Sequence, residues 1–359
     1  MHGLVVAAGH GPVPDFIWAG GCAAVTPTRR AMTADAVFDI ASVTKAVATA
    51  TACGICIDRG LLDPEAPVRR YLPECVQPPG AELRVRDLAT HTSGFANEKF
   101  VGLPGEALMQ QLLTAPASWP THERYHYACR NYVLLGLIVE RLVGRTLGEF
   151  CHEHIFAPLG MTATAPYPLP KRLQERLVPG IMRSGPDLHS MYARCGRMLG
   201  HAGLYAPAAD LARFCAMMLA GGSLDGTRIL GERALRWLTG PWSPPGLPAR
   251  SFGYDMRPAY PADVTDRSLS DENPFCSTRP QGLSPLAFGH PGWSGQAMWI
   301  DPDLGLYLIV LTNRTHDLDI RANRLASARL RAEVGTIVLR HLLDAGWATT
   351  RSRPSESAN

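Results

Sequence analysis

The chain has 359 residues, 46% of them hydrophobic and 19% charged, with 34 Gly and 30 Pro. That length and apolar content suit one large domain or two closely packed ones. They exclude a disordered chain, a collagen-like repeat and a small disulfide-stapled scaffold. A formal net charge of +3, with no run of Lys or Arg beyond two residues, argues against a nucleic-acid-binding surface.

No apolar run approaches the roughly 20 residues that a membrane span requires. Residues 1–8 lack a basic region, and their apolar stretch ends at Gly9 and His10, so no signal peptide is expected. Nine cysteines, an odd number at irregular intervals, fit free thiols in a reducing compartment, and a cytoplasmic location is the expectation.

In chain order, 4–8 and 16–19 read as short strands around a Gly/Pro turn. A helix follows from Ser42 to Arg59, with capping groups between Asp39 and Thr44 and with Gly60 as its stop. Its stripe of Lys45, Ala48, Thr49, Ala52 and Cys56 is mostly small, which predicts a close neighbour on that face. From 63 to about 244, helical patterns alternate with Pro/Gly loops. They include 131–143, ended by Gly144, and 211–219, for which Asp210 is the expected cap. Residues 257–286 form a long Pro/Ser/Asp-rich connection, expected to border a pocket mouth. Strands at 297–300 and 306–312 flank a turn, a long amphipathic helix spans 320–343, and 349–359 is a polar tail.

Strands at both ends with helices between them predict one sheet built from the two termini. The expected division is an α/β domain of 1–62 with 245–348, a helical domain of 63–244 and a flexible tail of 349–359. A cleft between the two lobes is the default place for chemistry.

Only three lysines are present, Lys45, Lys99 and Lys171, and the first stands three residues after Ser42. Positions i and i+3 share one helix face, so the Lys45 amine can reach the Ser42 hydroxyl. At a helix start the dipole favours an oxyanion and disfavours a protonated amine, which is how a weak nucleophile becomes activated. A serine cap beside a solvent-facing lysine explains the same pair equally well. Cys53 and Cys56 have CxxC spacing but sit mid-helix without a second pair, and His152 and His154 are two apart rather than four, so no metal site is implied. Gly-x-Ser-x-Gly, P-loop and dinucleotide-binding patterns do not occur.

Five segments together resemble the serine β-lactamase and penicillin-binding-protein superfamily. They are FDIASVTK at 38–45, HTSG at 91–94, YACRNYVLLG at 127–136, HAGLYAPAADLARF at 201–214 and GHPGWSG at 289–295. The branch they resemble is the class C β-lactamase-related group, which includes esterases, D-amino-acid peptidases and acyltransferases. The resemblance implies an antiparallel sheet flanked by N- and C-terminal helices, α/β in class, with an inserted all-α domain. It also implies a nucleophile at Ser42, an assisting Lys45 and a proton shuttle at Tyr127. A phenol serves such a shuttle best when a nearby cation lowers its pKa.

The third family motif falls on His290, Pro291 and Gly292. It implies a catalytic role for His290, close substrate approach at Gly292, and oxyanion donors in the N–H groups of Ser42 and Trp293. His91 and His201 match loop positions around the cleft. Two departures matter. Cys129 stands where the family has an amide-bearing Asn, and Pro291 lacks the hydroxyl that helps hold a substrate carboxylate. The expected activity is therefore hydrolysis of a small-molecule ester or neutral amide through an acyl-enzyme on Ser42, without metal or cofactor. Acyl transfer on the same scaffold, β-lactam or D-amino-acid peptide cleavage, and a non-catalytic binding protein are the alternatives.

Overall fold

The computed structural model describes residues 2–97, 103–180, 190–256, 278–316 and 324–347. β1 (Gly3–Gly9), β2 (Phe16–Ala24) and β3 (Arg30–Ala31) open the chain, and β4 (Phe38–Asp39) leads to Ser42. A π-helical turn at Lys45–Ala50 then runs into α1 (Thr51–Asp58), and Gly60 ends it at a φ of 71°. The expected helix forms, but its first part is wound wider than an α-helix and has no side-chain cap. Asp39 instead accepts the Ala41 N–H at 2.8 Å.

The middle of the chain carries α2 (Val85–Ala89), α3 (Gly105–Thr114), α4 (Cys129–Val143), α5 (Leu147–Cys151), β5 (Ala165–Pro166), α6 (Lys171–Gln174) and α7 (Ser190–Arg194). It continues through β6 (Leu204–Ala206), α8 (Ala208–Leu219), the hairpin of β7 (Ser223–Leu224) and β8 (Thr227–Arg228), and α9 (Glu232–Thr239). The C-terminal end supplies β9 (Phe288–Pro291), β10 (Gln296–Asp301), β11 (Leu306–Thr312) and α10 (Arg324–Asp344). The N-terminal part of the helix expected at 320–343, and the tail from 348, lie outside the described residues.

Both ends of the chain build one antiparallel sheet of six strands in the order β3-β2-β1-β11-β10-β9. Side chains alternate across its central strands, as a period of two demands. Val5, Ala7, Ile309 and Leu311 enter the main core, whereas Val6, Ala8, Leu308 and Val310 pack with Leu342 of α10 on the other face. α8 lies against β1, β10 and β11 on the main-core side. Asp210 does not cap it; Pro207 holds that position, and the Asp210 carboxylate accepts from Ala163 N–H at 2.9 Å and Thr164 Oγ1 at 2.8 Å. β4, β5 and β6 form a separate small sheet that carries the chain into the Ser42 turn.

The small stripe of the first helix does take close neighbours. Thr49 Oγ1 donates to Gly200 O at 2.6 Å, and Cys151 Sγ lies 3.7 Å from Ala48 O. Gly200 in turn lies so near α4 that an added Cβ would sit 1.9 Å from the Tyr132 carbonyl oxygen. That approach seats the 200–203 loop directly beside Lys45. Of the 257–286 connection, 257–277 lies outside the described residues. The described end docks on β10 and α10, where Trp299 Nε1 donates to Thr278 O at 3.1 Å and Gln281 N–H to Thr336 Oγ1 at 2.9 Å.

Candidate active site

Ser42 follows Ala41, whose φ of 44° is a conformation that residues with a Cβ seldom adopt. The turn brings the Ser42 side chain over the start of the helix. Lys45, fully buried, donates from Nζ to Ser42 Oγ at 2.9 Å and to the His201 carbonyl at 3.0 Å, and its Nζ lies 3.6 Å from Cys129 Sγ. The solvent-facing lysine is thereby replaced by a buried one. Burial pushes the Lys45 amine down to about 8, with the Arg250 charge adding to it and the Cys129 sulfur opposing it. An amine so placed loses its proton far more readily than an exposed lysine.

Tyr127 precedes α4, Cys129 is the first residue of that helix, and both face the same space as Lys45. The Lys45 Nζ is 5.0 Å from the centre of the Tyr127 ring. The Ser42 side chain is a hydrogen-bonding neighbour of the phenol. The expected lowering of the Tyr127 pKa is not found: burial holds the phenol well above its ordinary value, and the Ser42 hydrogen bond only partly opposes this. The physical reason is desolvation, which penalises a phenolate in a closed site more than a neighbouring amine that is itself easily neutralised can compensate. Of the two, the Lys45 amine therefore gives up its proton more readily than usual and the Tyr127 phenol holds its proton more firmly.

His290 sits on the edge strand β9, fully buried, with its ring 6.0 Å from that of Tyr127. Its Nδ1 lies 2.7 Å from the Pro291 carbonyl, which can only accept, so Nδ1 carries the ring proton. Burial, aided by the Arg250 and Lys45 charges, holds this imidazole well below its usual pKa. A neutral ring with a protonated Nδ1 presents a lone pair at Nε2, and that atom has no partner among the described residues.

The turn after β9 brings Gly292, Trp293 and Ser294 next to the Ser42 segment. A Cβ on Gly292 would meet the Ile40 carbonyl oxygen at 2.8 Å, so the loop approaches as it does only because that residue has none. The turn is tied down by Arg331, which donates to the Gly292 and Gln296 carbonyls at 3.0 and 2.7 Å. Arg314 donates to the Trp293 carbonyl.

Three neighbours were not singled out as chemical groups in the sequence. His91, read as loop structure, has a φ of 59° and lies with its ring 4.4 Å from that of Tyr127. Its Nδ1 accepts from Ala128 N–H at 3.2 Å and Asn131 Nδ2 at 3.1 Å. Arg250 is buried beside Asp255 and donates to Tyr125 Oη at 3.2 Å. No spacing in the sequence marks it, because it reaches the site from a distant loop. His201 contributes through its backbone carbonyl, which no side-chain motif could reveal. Asp39 stood within the FDIASVTK segment, but as a capping group only.

The profile of the Beta-lactamase family matches residues 1–333. A putative D-alanyl-D-alanine carboxypeptidase from Escherichia coli (strain K12) is 26% identical over 321 residues, which is 79% of this chain and 70% of that protein. An N-acetylmuramyl-L-alanine amidase from Bacillus subtilis (strain 168) is 26% identical over 316 residues, covering 78% of this chain and 68% of its own length. The fold is similar to that of a beta-lactamase from Sulfitobacter sp. EE-36, with a TM-score of 0.71 at 22% identity over 96% of this chain and 93% of that one. With the family match running from the first strand into the last helix, the chain belongs to the beta-lactamase family.

Proposed function

We propose that this protein is a serine hydrolase that cleaves a small-molecule ester or neutral amide through an acyl-enzyme on Ser42. The observation that carries the reading is the fully buried Lys45 amine, 2.9 Å from Ser42 Oγ, with its pKa brought to about 8. Lys45 takes the Ser42 proton as Oγ attacks the carbonyl carbon. The oxyanion forms between the Ser42 and Trp293 N–H groups, where fixed dipoles need no reorganisation. Tyr127, still protonated, gives its proton to the leaving oxygen or nitrogen and regains one from Lys45. Water then attacks the acyl carbon, its proton passing to the Nε2 lone pair of His290 or to Lys45, and the acid departs as Ser42 regains its hydrogen.

The site takes Ser42 and Lys45 from the 1–62 segment, His290, Gly292 and Trp293 from 245–348, and Tyr127 and Cys129 from 63–244. This supports a seam between a sheet lobe and a helical lobe. Pro291 offers neither hydroxyl nor N–H, and Cys129 offers a thiol where a relative would hold a substrate amide; both favour esters and neutral amides over carboxylate-bearing peptides. Among the described residues no helix is long and apolar enough to cross a membrane. Eight described cysteines are free thiols, which supports a reducing, cytoplasmic setting.

Intact-mass measurement after treatment with a fluorophosphonate tests the reading. A single adduct on the wild type that is absent from Ser42→Ala is expected, together with turnover of short aryl esters. A wild type that stays unlabelled and inert across aryl esters, D-amino-acid amides and a cephalosporin would instead mark a protein that keeps the fold without the chemistry. Adding an alcohol or amine acceptor during turnover separates hydrolysis from acyl transfer.

A further inference from the structure

Asp39 stands three residues before Ser42, half-buried, and its polar atoms are used in three directions. Oδ1 accepts the N–H of Ala41 at 2.8 Å. Oδ2 accepts the hydroxyl of Tyr192, at 3.1 Å, from α7. Its backbone carbonyl accepts from Ser294 Oγ at 2.9 Å. The first bond holds the residue whose positive φ sets the direction of the Ser42 N–H. The third holds the residue next to Trp293.

We propose that Asp39 is a positioning residue that fixes the separation and aim of the Ser42 and Trp293 N–H donors, joining the nucleophile turn to the third-motif turn through one residue. The inference rests on the oxyanion assignment made under the proposed function. Its physical basis is that a donor pair serves a transition state only while both members stay at hydrogen-bonding distance of one oxygen position, and a misplacement of about 1 Å costs on the order of 100-fold in rate. Ala41 alone does not hold such a geometry, because a residue with a Cβ relaxes toward negative φ once its N–H is released. Tyr192 keeps the carboxylate from turning away. The close approach of Gly292 to Ile40 O keeps the two turns in contact but does not set where their N–H groups point.

The test compares wild type with Asp39→Ala, Asp39→Asn and Tyr192→Phe. It reads kcat and KM for an aryl ester, affinity for an arylboronic acid and the thermal melting of each variant. A boronate bound to Ser42 is tetrahedral and places an oxygen where the oxyanion forms, whereas KM reports the flat ester. Asp39→Ala is expected to lose about tenfold or more in both kcat and boronate affinity, with KM within about threefold of wild type. Asp39→Asn is expected to stay within about threefold throughout, since its amide oxygen still accepts from Ala41 and its NH2 can donate to Tyr192. Tyr192→Phe is expected to fall between the two.

A folded Asp39→Ala with unchanged kcat and boronate affinity, or one that changes KM alone, overturns the proposal. If Asp39→Ala does not fold, Tyr192→Phe decides, and an unchanged boronate affinity there overturns it. A wild type that binds no boronate and takes no fluorophosphonate defeats the hydrolase reading itself, and this proposal with it; a reactive wild type matched by its Asp39 variants defeats the proposal alone.

Discussion

The pH dependence of acylation follows directly from the burial of Lys45. Its amine is brought from an ordinary 10.5 to about 8. At pH 7 about one molecule in ten then carries the neutral base, against about one in 3,000 for an unperturbed lysine, so burial raises the competent fraction about 300-fold. The acylation rate constant for an aryl ester is expected to rise about tenfold per pH unit below 8 and to level off above it. His91 and His290 are both held well below the usual histidine range by burial, so neither adds an inflection between pH 7 and 9 in this account. Stopped-flow release of the phenol, followed at a wavelength insensitive to its ionisation, gives the profile. A flat profile, or a single inflection near the ordinary histidine value, would refute Lys45 as the acceptor of the Ser42 proton.

The same shift predicts stability. Because the folded-state pKa of Lys45 lies below the unfolded one, the unfolded chain binds the extra proton between these values, and stability rises as pH climbs from about 8 toward about 10.5, by about 3 kcal/mol in all. Lys45→Met is expected to be inactive and to lack that rise, which denaturant melts at both ends of the range would show. Gly292→Ala is expected to lower kcat by about tenfold or more with little change in melting temperature, because its Cβ must push the turn away from Ile40 O. Gly200→Ala, whose Cβ would strike the Tyr132 carbonyl at 1.9 Å, is expected to destabilise the fold by about 3 kcal/mol or more in a denaturant melt. Cys129→Asn is expected to raise the amide-to-ester ratio of kcat/KM about tenfold by supplying one further hydrogen bond, and an unchanged ratio would remove Cys129 from the substrate-contacting surface.

The strands at both termini were legible because β1, β10 and β11 are short, apolar and bounded by turns, which is what a central antiparallel strand requires. α4 was legible from its apolar period and from Gly144, which takes a φ of 68° at its end. The caps were not. Asp39 and Asp210 have the chemistry of helix caps, yet each is drawn into hydrogen bonds with a neighbouring segment, Asp39 with Tyr192 and Asp210 with Thr164. Local preference loses there to partners far away in sequence. The π-helical start of the Lys45 segment was equally hidden, since nothing in SVTKAVATA distinguishes the two windings.

What the sequence by itself laid out is a serine and a lysine one helical turn apart, while Tyr127, His290 and Gly292 were picked out by the resemblance to the serine β-lactamase and penicillin-binding-protein superfamily. Covalent spacing and periodicity are local properties, and they survive without any knowledge of packing. What the tertiary structure decided is the state of those groups. Lys45 has a depressed pKa and Tyr127 a raised one because burial strips water from both, and His290 holds its proton on Nδ1 because the Pro291 carbonyl accepts it. Desolvation and Coulomb interaction depend on distance in space, and only the folded chain fixes that distance.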